Sequence, residues 1–133
     1  MPLLKLPGWW DKYFDTVEMY GAGVSEESLT HGLKDAGVAD KGGIIETKWQ
    51  PIFRTASNIG KSINDRMRFL GGYSITSFMI HQPLSFSSPE AEMNAMADLV
   101  EAGKIKSVGV SNFNPARMRR VHAPLKNGDC PWR

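Results

Sequence analysis

Four short apolar segments alternate with amphipathic stretches along most of the chain. We predict strands over 13–16, 43–48, 75–80 and 105–110. Between them, apolar side chains recur at intervals of three and four residues, the period of a helix with one buried face. Strands that alternate with helices predict βαβ units and a parallel sheet.

The predicted helices begin at residues that suit a helix start. The first two cover 25–36 and about 55–70. A serine or asparagine before a helix can accept a hydrogen bond from an unpaired amide of the first turn, and proline suits the first helical position. Such residues are Ser25, Ser88 with Pro89, and Asn114 with Pro115.

Polar residues at the strand ends recur at an almost even spacing. Asp15, Lys48, His81 and Ser111 are 33, 33 and 30 positions apart. A (β/α)8 barrel uses roughly 30 residues for each strand and helix, and its chemistry lies at the C-terminal strand ends. The sequence therefore predicts an α/β fold, a partial (β/α)8 TIM-type barrel with about four βα units. Its domain covers 13–126, between an unplaced segment 1–12 and an irregular tail 127–133.

Composition excludes several classes of partner. Sixteen basic and fourteen acidic residues leave a net charge of +2, which predicts no nucleic-acid binding. No apolar run approaches the roughly 20 residues of a membrane span. The single Cys130 fits a reducing compartment, so a cytoplasmic protein is expected. His31, His81 and His122 are widely separated, so no metal site is predicted.

Tyr20 and Lys48 form a chemically useful pair. A tyrosine with a pKa of about 10 is a poor acid at neutral pH, and a nearby ammonium favours its phenolate. Asp15 could hold that ammonium in place, and His81 could donate a hydrogen bond to a substrate carbonyl. Together these groups would protonate a carbonyl oxygen while another group supplies hydride.

Each of these residues also has a structural interpretation. Asp15 could cap a strand end, and Lys48 could be a solvated strand end. His81 could be a core or rim histidine, and Tyr20 a half-buried loop residue. The shared position at equivalent strand ends favours a common site over four independent structural roles.

The glycines after Tyr20 do not form a dinucleotide-binding loop. Gly21 and Gly23 match the first two glycines of G-x-G-x-x-G, but the third position is Glu26. A carboxylate there would face the pyrophosphate at the helix N-terminus, so we reject a Rossmann fold.

The same residues lie in strings that resemble the aldo-keto reductases. These strings are FDTVEMYG at 14–21, ETKW at 46–49, IHQP at 80–83 and LVEAGKIKSVGVSNF at 99–113. The resemblance runs over roughly 13–125 and implies an eight-stranded barrel that reduces aldehydes or ketones with NADPH. A small-molecule carbonyl substrate is therefore the expected partner.

The resemblance also implies individual roles. Tyr20 matches the proton donor, Lys48 the lysine that lowers its pKa, and Asp15 the aspartate paired with that lysine. His81 matches the histidine that orients the substrate carbonyl. The cofactor-contacting set is Asp15, Ser111 and Asn112, the last two binding the nicotinamide carboxamide, and Trp49 is expected to line the substrate pocket.

Large parts of the family pattern have no counterpart in this sequence. Residues 1–12 do not resemble the family's N-terminal elements, and the last strands with their cofactor contacts do not follow 125. We therefore expect the isolated chain to be poorly soluble and unable to transfer hydride, and to self-associate through exposed sheet edges. Two alternatives remain, a non-catalytic half-barrel or regulatory subunit of the same family, and a truncated reading of a longer gene.

Overall fold

The fold was obtained as a computed structural model, which describes residues 13–122 of the 133-residue chain. In this part strands and helices alternate. The strands are β1 (Tyr13–Asp15), β2 (Ile44–Trp49), β3 (Ile75–Ile80) and β4 (Ile105–Val110); the helices are α1 (Val24–Asp35), α2 (Ile59–Phe69), α3 (Pro89–Glu101) and α4 (Pro115–His122). The predicted segments 1–12 and 127–133 lie outside the described residues.

The four strands form one parallel sheet in the order β1-β2-β3-β4. Asp15 pairs with Glu46, and Lys48 pairs with Met79, so successive strands are in step. Parallel strands place all their carboxyl ends at one edge, which is where the predicted site residues lie. The predicted α/β fold, a partial barrel with four βα units, is confirmed.

The helices cover one face of this sheet. Alternate strand residues such as Ile45, Phe78 and Val108 are buried against the helix layer. The helices contribute apolar side chains to the same core, among them Leu33, Ile59, Ile63, Leu70, Met93, Met96 and Leu99. Burial of this apolar surface is the main favourable contribution to the stability of the fold.

Two helix starts match the predictions and two do not. Ser88 Oγ accepts a hydrogen bond from Ala91 N at 3.2 Å, as expected for an N-cap. Asn114 Oδ1 accepts from Arg117 N at 2.8 Å in the same way. The second helix begins at Ile59, later than predicted, because Ala56–Asn58 form a separate 3₁₀ turn.

The first helix has Gly23 as its N-cap, not Ser25. Gly23 has a φ of 109°, and no side chain caps the helix. The Ser25 hydroxyl lies 2.7 Å from the Thr16 hydroxyl, so it joins the helix to the end of β1. The prediction was wrong because a cap competes with any other nearby partner for the serine hydroxyl.

Within residues 13–122, none of the helices combines the length and the apolar character that crossing a membrane requires.

Replacing Gly23 by alanine should destabilise the protein by about 2–5 kcal/mol, from backbone strain and overpacking. A Cβ at this position would lie 2.5 Å from Phe69 Cε2, and the positive φ disfavours any L side chain. Urea unfolding followed by circular dichroism measures the change. Gly32→Ala is the control: apart from its chain neighbours and the nearby backbone of its own helix, nothing lies within 4 Å of the added Cβ, so a gain of about 0.5–1 kcal/mol is expected. Equal stability of Gly23→Ala and the parent chain would contradict this account.

Candidate active site

Lys48 is held near the carboxyl edge of the sheet by oxygen atoms of β1 and β2. Its Nζ forms an ion pair with the Asp15 carboxylate. It also lies 3.4 Å from the Thr16 carbonyl oxygen and 3.7 Å from Glu46 Oε1. The Lys48 side chain is only 12% exposed, whereas that of Asp15 is 53% exposed. These contacts fix the ammonium and leave one carboxylate open to solvent.

His81 follows β3 directly and lies at the same edge. Its backbone N–H donates to the Trp49 carbonyl oxygen at 3.0 Å. Burial lowers the pKa of His81, the positive charge of Lys48 lowers it further, and Asp15 opposes both. The lowered pKa favours the neutral imidazole. A neutral imidazole has one N–H donor and one acceptor nitrogen, so it can donate a hydrogen bond to a carbonyl oxygen.

Ser111 and Asn112 complete this edge at the end of β4. Ser111 N donates to the Ile80 carbonyl oxygen at 2.8 Å. Asn112 has a φ of 61°, and its Nδ2 donates to the His81 carbonyl oxygen at 2.9 Å and to Ser111 Oγ at 3.2 Å. Asparagine tolerates this left-handed conformation better than most residues. The structure therefore brings His81, Ser111 and Asn112 together.

Tyr20 lies in the turn between β1 and α1, above the same edge. The residue is 58% exposed. Its backbone N–H donates to the Val17 carbonyl oxygen at 3.2 Å, and its own carbonyl accepts from Ser25 N at 3.3 Å. Among the hydrogen bonds of the described residues, Lys48 Nζ reaches Asp15 and Thr16 but not the Tyr20 hydroxyl.

The placement of Trp49 does not fit the predicted position in a substrate pocket. Its side chain is completely buried, and Nε1 donates to Asn58 Oδ1 at 3.0 Å before α2. Neighbouring residues of a strand point to opposite faces. Because Lys48 faces away from the helices, Trp49 faces toward them and belongs to the core.

Glu18 and Arg54 belong to the same edge and were missed by the sequence predictions. Glu18 Oε1 accepts from Arg54 Nη1 at 2.8 Å, and Oε2 accepts from Gln50 N at 2.9 Å. These bonds join the loop after β1 to the loop after β2. Both loops follow strand ends, so the rule that identified Lys48 could have identified this pair as well.

A buried carboxylate supports the edge from the helix side of the sheet. Glu26 is fully buried; its Oε1 accepts from Thr47 Oγ1 and its Oε2 from Arg66 Nη1, both at 2.7 Å. Burial raises the pKa of Glu26, while Thr47 and Arg66 oppose this shift. Since Thr47 precedes Lys48, this network fixes β2 next to the candidate site. The same two hydrogen bonds engage the Glu26 carboxylate, the group on which we based the rejection of a dinucleotide-binding loop.

Between residues 13 and 122, no group of three or more His, Cys, Asp or Glu side chains is arranged to hold a metal ion.

The sequence matches the Aldo/keto reductase family over residues 11–132. The chain belongs to this family. Its fold is the corresponding part of a (β/α)8 barrel, and the relatives described next are oxidoreductases.

The aldo-keto reductase YhdN of Bacillus subtilis is 32% identical over 128 residues, covering 89% of this chain and 38% of the relative. An NAD/NADP-dependent indole-3-acetaldehyde reductase of Schizosaccharomyces pombe is 30% identical over 105 residues, covering 76% of this chain and 35% of that protein. The glycerol dehydrogenase AKR11B4 of Gluconobacter oxydans superimposes with a TM-score of 0.75 at 26% identity, covering 86% and 39% of the two chains. This chain thus spans between a third and two-fifths of the length of these relatives.

We expect Lys48→Met to raise the pKa of His81, because the substitution removes a positive charge that disfavours the imidazolium. An NMR titration of the histidine side chains measures the shift. Lys106→Met, on an exposed side chain at the opposite end of β4, is the control and should leave His81 unchanged. An unaltered His81 pKa in Lys48→Met would show that the two side chains do not interact.

Arg66→Met should destabilise the protein by about 3–5 kcal/mol, since it leaves the buried Glu26 carboxylate without its cation. The double variant Glu26→Gln with Arg66→Met should recover part of that loss. Arg68→Met is the matched control on α2: its side chain is 71% exposed, and removing its pair with Asp65 should cost about 0–1 kcal/mol. Equal losses for Arg66→Met and Arg68→Met in urea unfolding would argue against a structural role for the buried pair.

Proposed function

We propose that this chain carries the catalytic part of an NADPH-dependent reductase that converts an aldehyde or ketone to an alcohol, with Tyr20 as the proton donor. The supporting observation is the arrangement at the carboxyl edge. There the Asp15–Lys48 ion pair lies beside a neutral His81, in a chain that belongs to the aldo/keto reductase family.

Each of the four side chains has a distinct task in this proposal. His81 donates a hydrogen bond that orients the substrate carbonyl, and Tyr20 gives its phenolic proton to the carbonyl oxygen. Lys48, held by Asp15, stabilises the phenolate that remains. The exposed position of Tyr20 lets its phenolate regain a proton from water. The nicotinamide supplies the hydride when it is bound.

Three residues fit the nicotinamide end of such a cofactor. Asn112 is exposed, and its amide lies beside the Ser111 hydroxyl. A hydroxyl and an amide together can both donate to and accept from a carboxamide. Asp15 keeps a carboxylate surface open next to Lys48. We assign these three residues to cofactor contact on that basis, and NADPH as the cofactor on the family resemblance.

A non-catalytic role is the second candidate, as a half-barrel or as a regulatory or binding subunit. It is favoured by the hydrogen bonds of the described residues, in which Lys48 Nζ reaches Asp15 and Thr16 but not the Tyr20 hydroxyl. Within the described sheet β1 and β4 are the outer strands. Outer strands can pair with another chain, and self-association through these edges stays a prediction.

The decisive experiment compares NADPH binding and carbonyl-dependent NADPH oxidation by the purified chain. Oxidation would support the proposed role of the site and overturn the expectation from the sequence that the isolated chain cannot transfer hydride. Tyr20→Phe should lower kcat by about 100-fold or more and leave NADPH affinity unchanged, because it removes only the proton donor. Tyr73→Phe is the control, since that hydroxyl donates to the Val38 carbonyl oxygen, away from the edge.

Full activity of Tyr20→Phe would refute the assigned role. Saturable NADPH binding without any carbonyl-dependent oxidation would favour the binding subunit, and absence of both would contradict the reductase proposal for this chain.

A further inference from the structure

Two phenylalanine residues are largely exposed on the loops that follow β2 and β3 at the carboxyl edge of the sheet. Phe53 is 83% exposed and Phe86 is 73% exposed. Their ring centroids lie 6.3 Å apart with an interplanar angle of 48°. Phe53 follows β2 by four residues and Phe86 follows His81 by five. An exposed pair of adjacent aromatic rings offers an apolar surface on which a ligand can pack.

The backbone holds Phe53 in an unfavourable conformation. Its φ is 58°, in the left-handed region that bulky side chains rarely adopt. Phe53 is the third residue of a turn that closes with Arg54 N donating to the Pro51 carbonyl oxygen at 3.0 Å. Strain of this kind persists where the surroundings fix it, and such positions cluster at functional sites. The strained backbone at Phe53 therefore indicates a functional role for its ring.

Two hydrogen bonds join the loops that carry the rings. Phe86 N donates to the Arg54 carbonyl oxygen at 2.9 Å, and Ala56 N donates to Ser87 Oγ at 2.8 Å. The pair of rings is thus a fixed feature of two connected loops.

The same arginine connects the rings to the loop of Tyr20. Arg54 Nη1 lies 2.8 Å from Glu18 Oε1, two residues before Tyr20. Met19 and Leu84, on the first and third of these loops, are also more than half exposed. The loops after β1, β2 and β3 thus carry exposed apolar side chains at the same edge of the sheet as Lys48 and His81. Ligand sites commonly combine an apolar lining with a few convergent polar groups.

We propose that Phe53 and Phe86 form the substrate-recognition surface of this site and that its preferred substrates are carbonyl compounds with an aromatic or other apolar group. This inference rests on the proposed reductase function. The rings are close enough to pack on each other, so a flat substrate lies against them and not between them. A polyhydroxylated substrate would lose hydrogen bonds to water on the same surface.

The test measures NADPH-dependent reduction of benzaldehyde and of glyceraldehyde by the full chain. The variant Phe53→Asn with Phe86→Ala removes both rings, and asparagine also tolerates the φ of 58°. Its kcat/KM should fall about tenfold or more for benzaldehyde, and far less for glyceraldehyde. Met67→Ala is the control: this methionine is 41% exposed and lies near Gly72 and Gly103, at the other end of the sheet.

A second measurement does not depend on turnover. In chain labelled with fluorophenylalanine, the ¹⁹F signals of Phe53 and Phe86, assigned with the single variants, should shift saturably with benzaldehyde and not with glyceraldehyde. Shifts of the ¹⁹F signals without NADPH oxidation would support the recognition surface and contradict the reductase proposal. Turnover with an unaltered substrate preference in the double variant would overturn the recognition surface. The double variant could instead differ from the parent chain only in sedimentation, with no ¹⁹F shift on addition of benzaldehyde. That result would identify the rings as a protein contact and would also overturn the recognition surface.

Discussion

The geometry of the site depends most on the hydrogen bonds of the buried Glu26 carboxylate. It accepts one hydrogen bond from Thr47 on β2 and one from Arg66 on α2, and Glu26 itself lies in the first turn of α1. A carboxylate removed from water is tolerated only when its partners replace the lost hydration. This requirement fixes α1 and the turn that holds Tyr20 against the strand that holds Lys48.

The alternation of side chains along β2 distributes structure and chemistry between the two faces of the sheet. Thr47 and Trp49 point toward the helices, where one binds Glu26 and the other is buried in the core. Lys48, between them, points to the opposite face and meets Asp15. A shift of one residue in this strand would bury the ammonium and expose the indole, so the register is strongly specified.

Electrostatics at the edge come from groups on four successive strand ends. Lys48 is paired with a carboxylate, and its charge together with burial keeps His81 neutral. His81 is in turn held through its carbonyl oxygen by Asn112. The backbone of the sheet thus positions the Lys48 ammonium, the His81 imidazole and the Asn112 amide, in addition to the contacts among them. Such preorganisation suits a site that stabilises developing charge on an oxygen atom.

The sequence by itself determined the order of the elements and the edge at which the site lies. Strands β3 and β4 coincide with their apolar segments, and the family strings contain Lys48 and His81, because strand period and local motifs are encoded by neighbouring residues. Tertiary structure alone decided that Ser25 binds Thr16 instead of capping a helix, that Trp49 faces the core, and that Glu26 meets Arg66. These outcomes depend on partners up to 40 positions away in the chain, which no local pattern specifies.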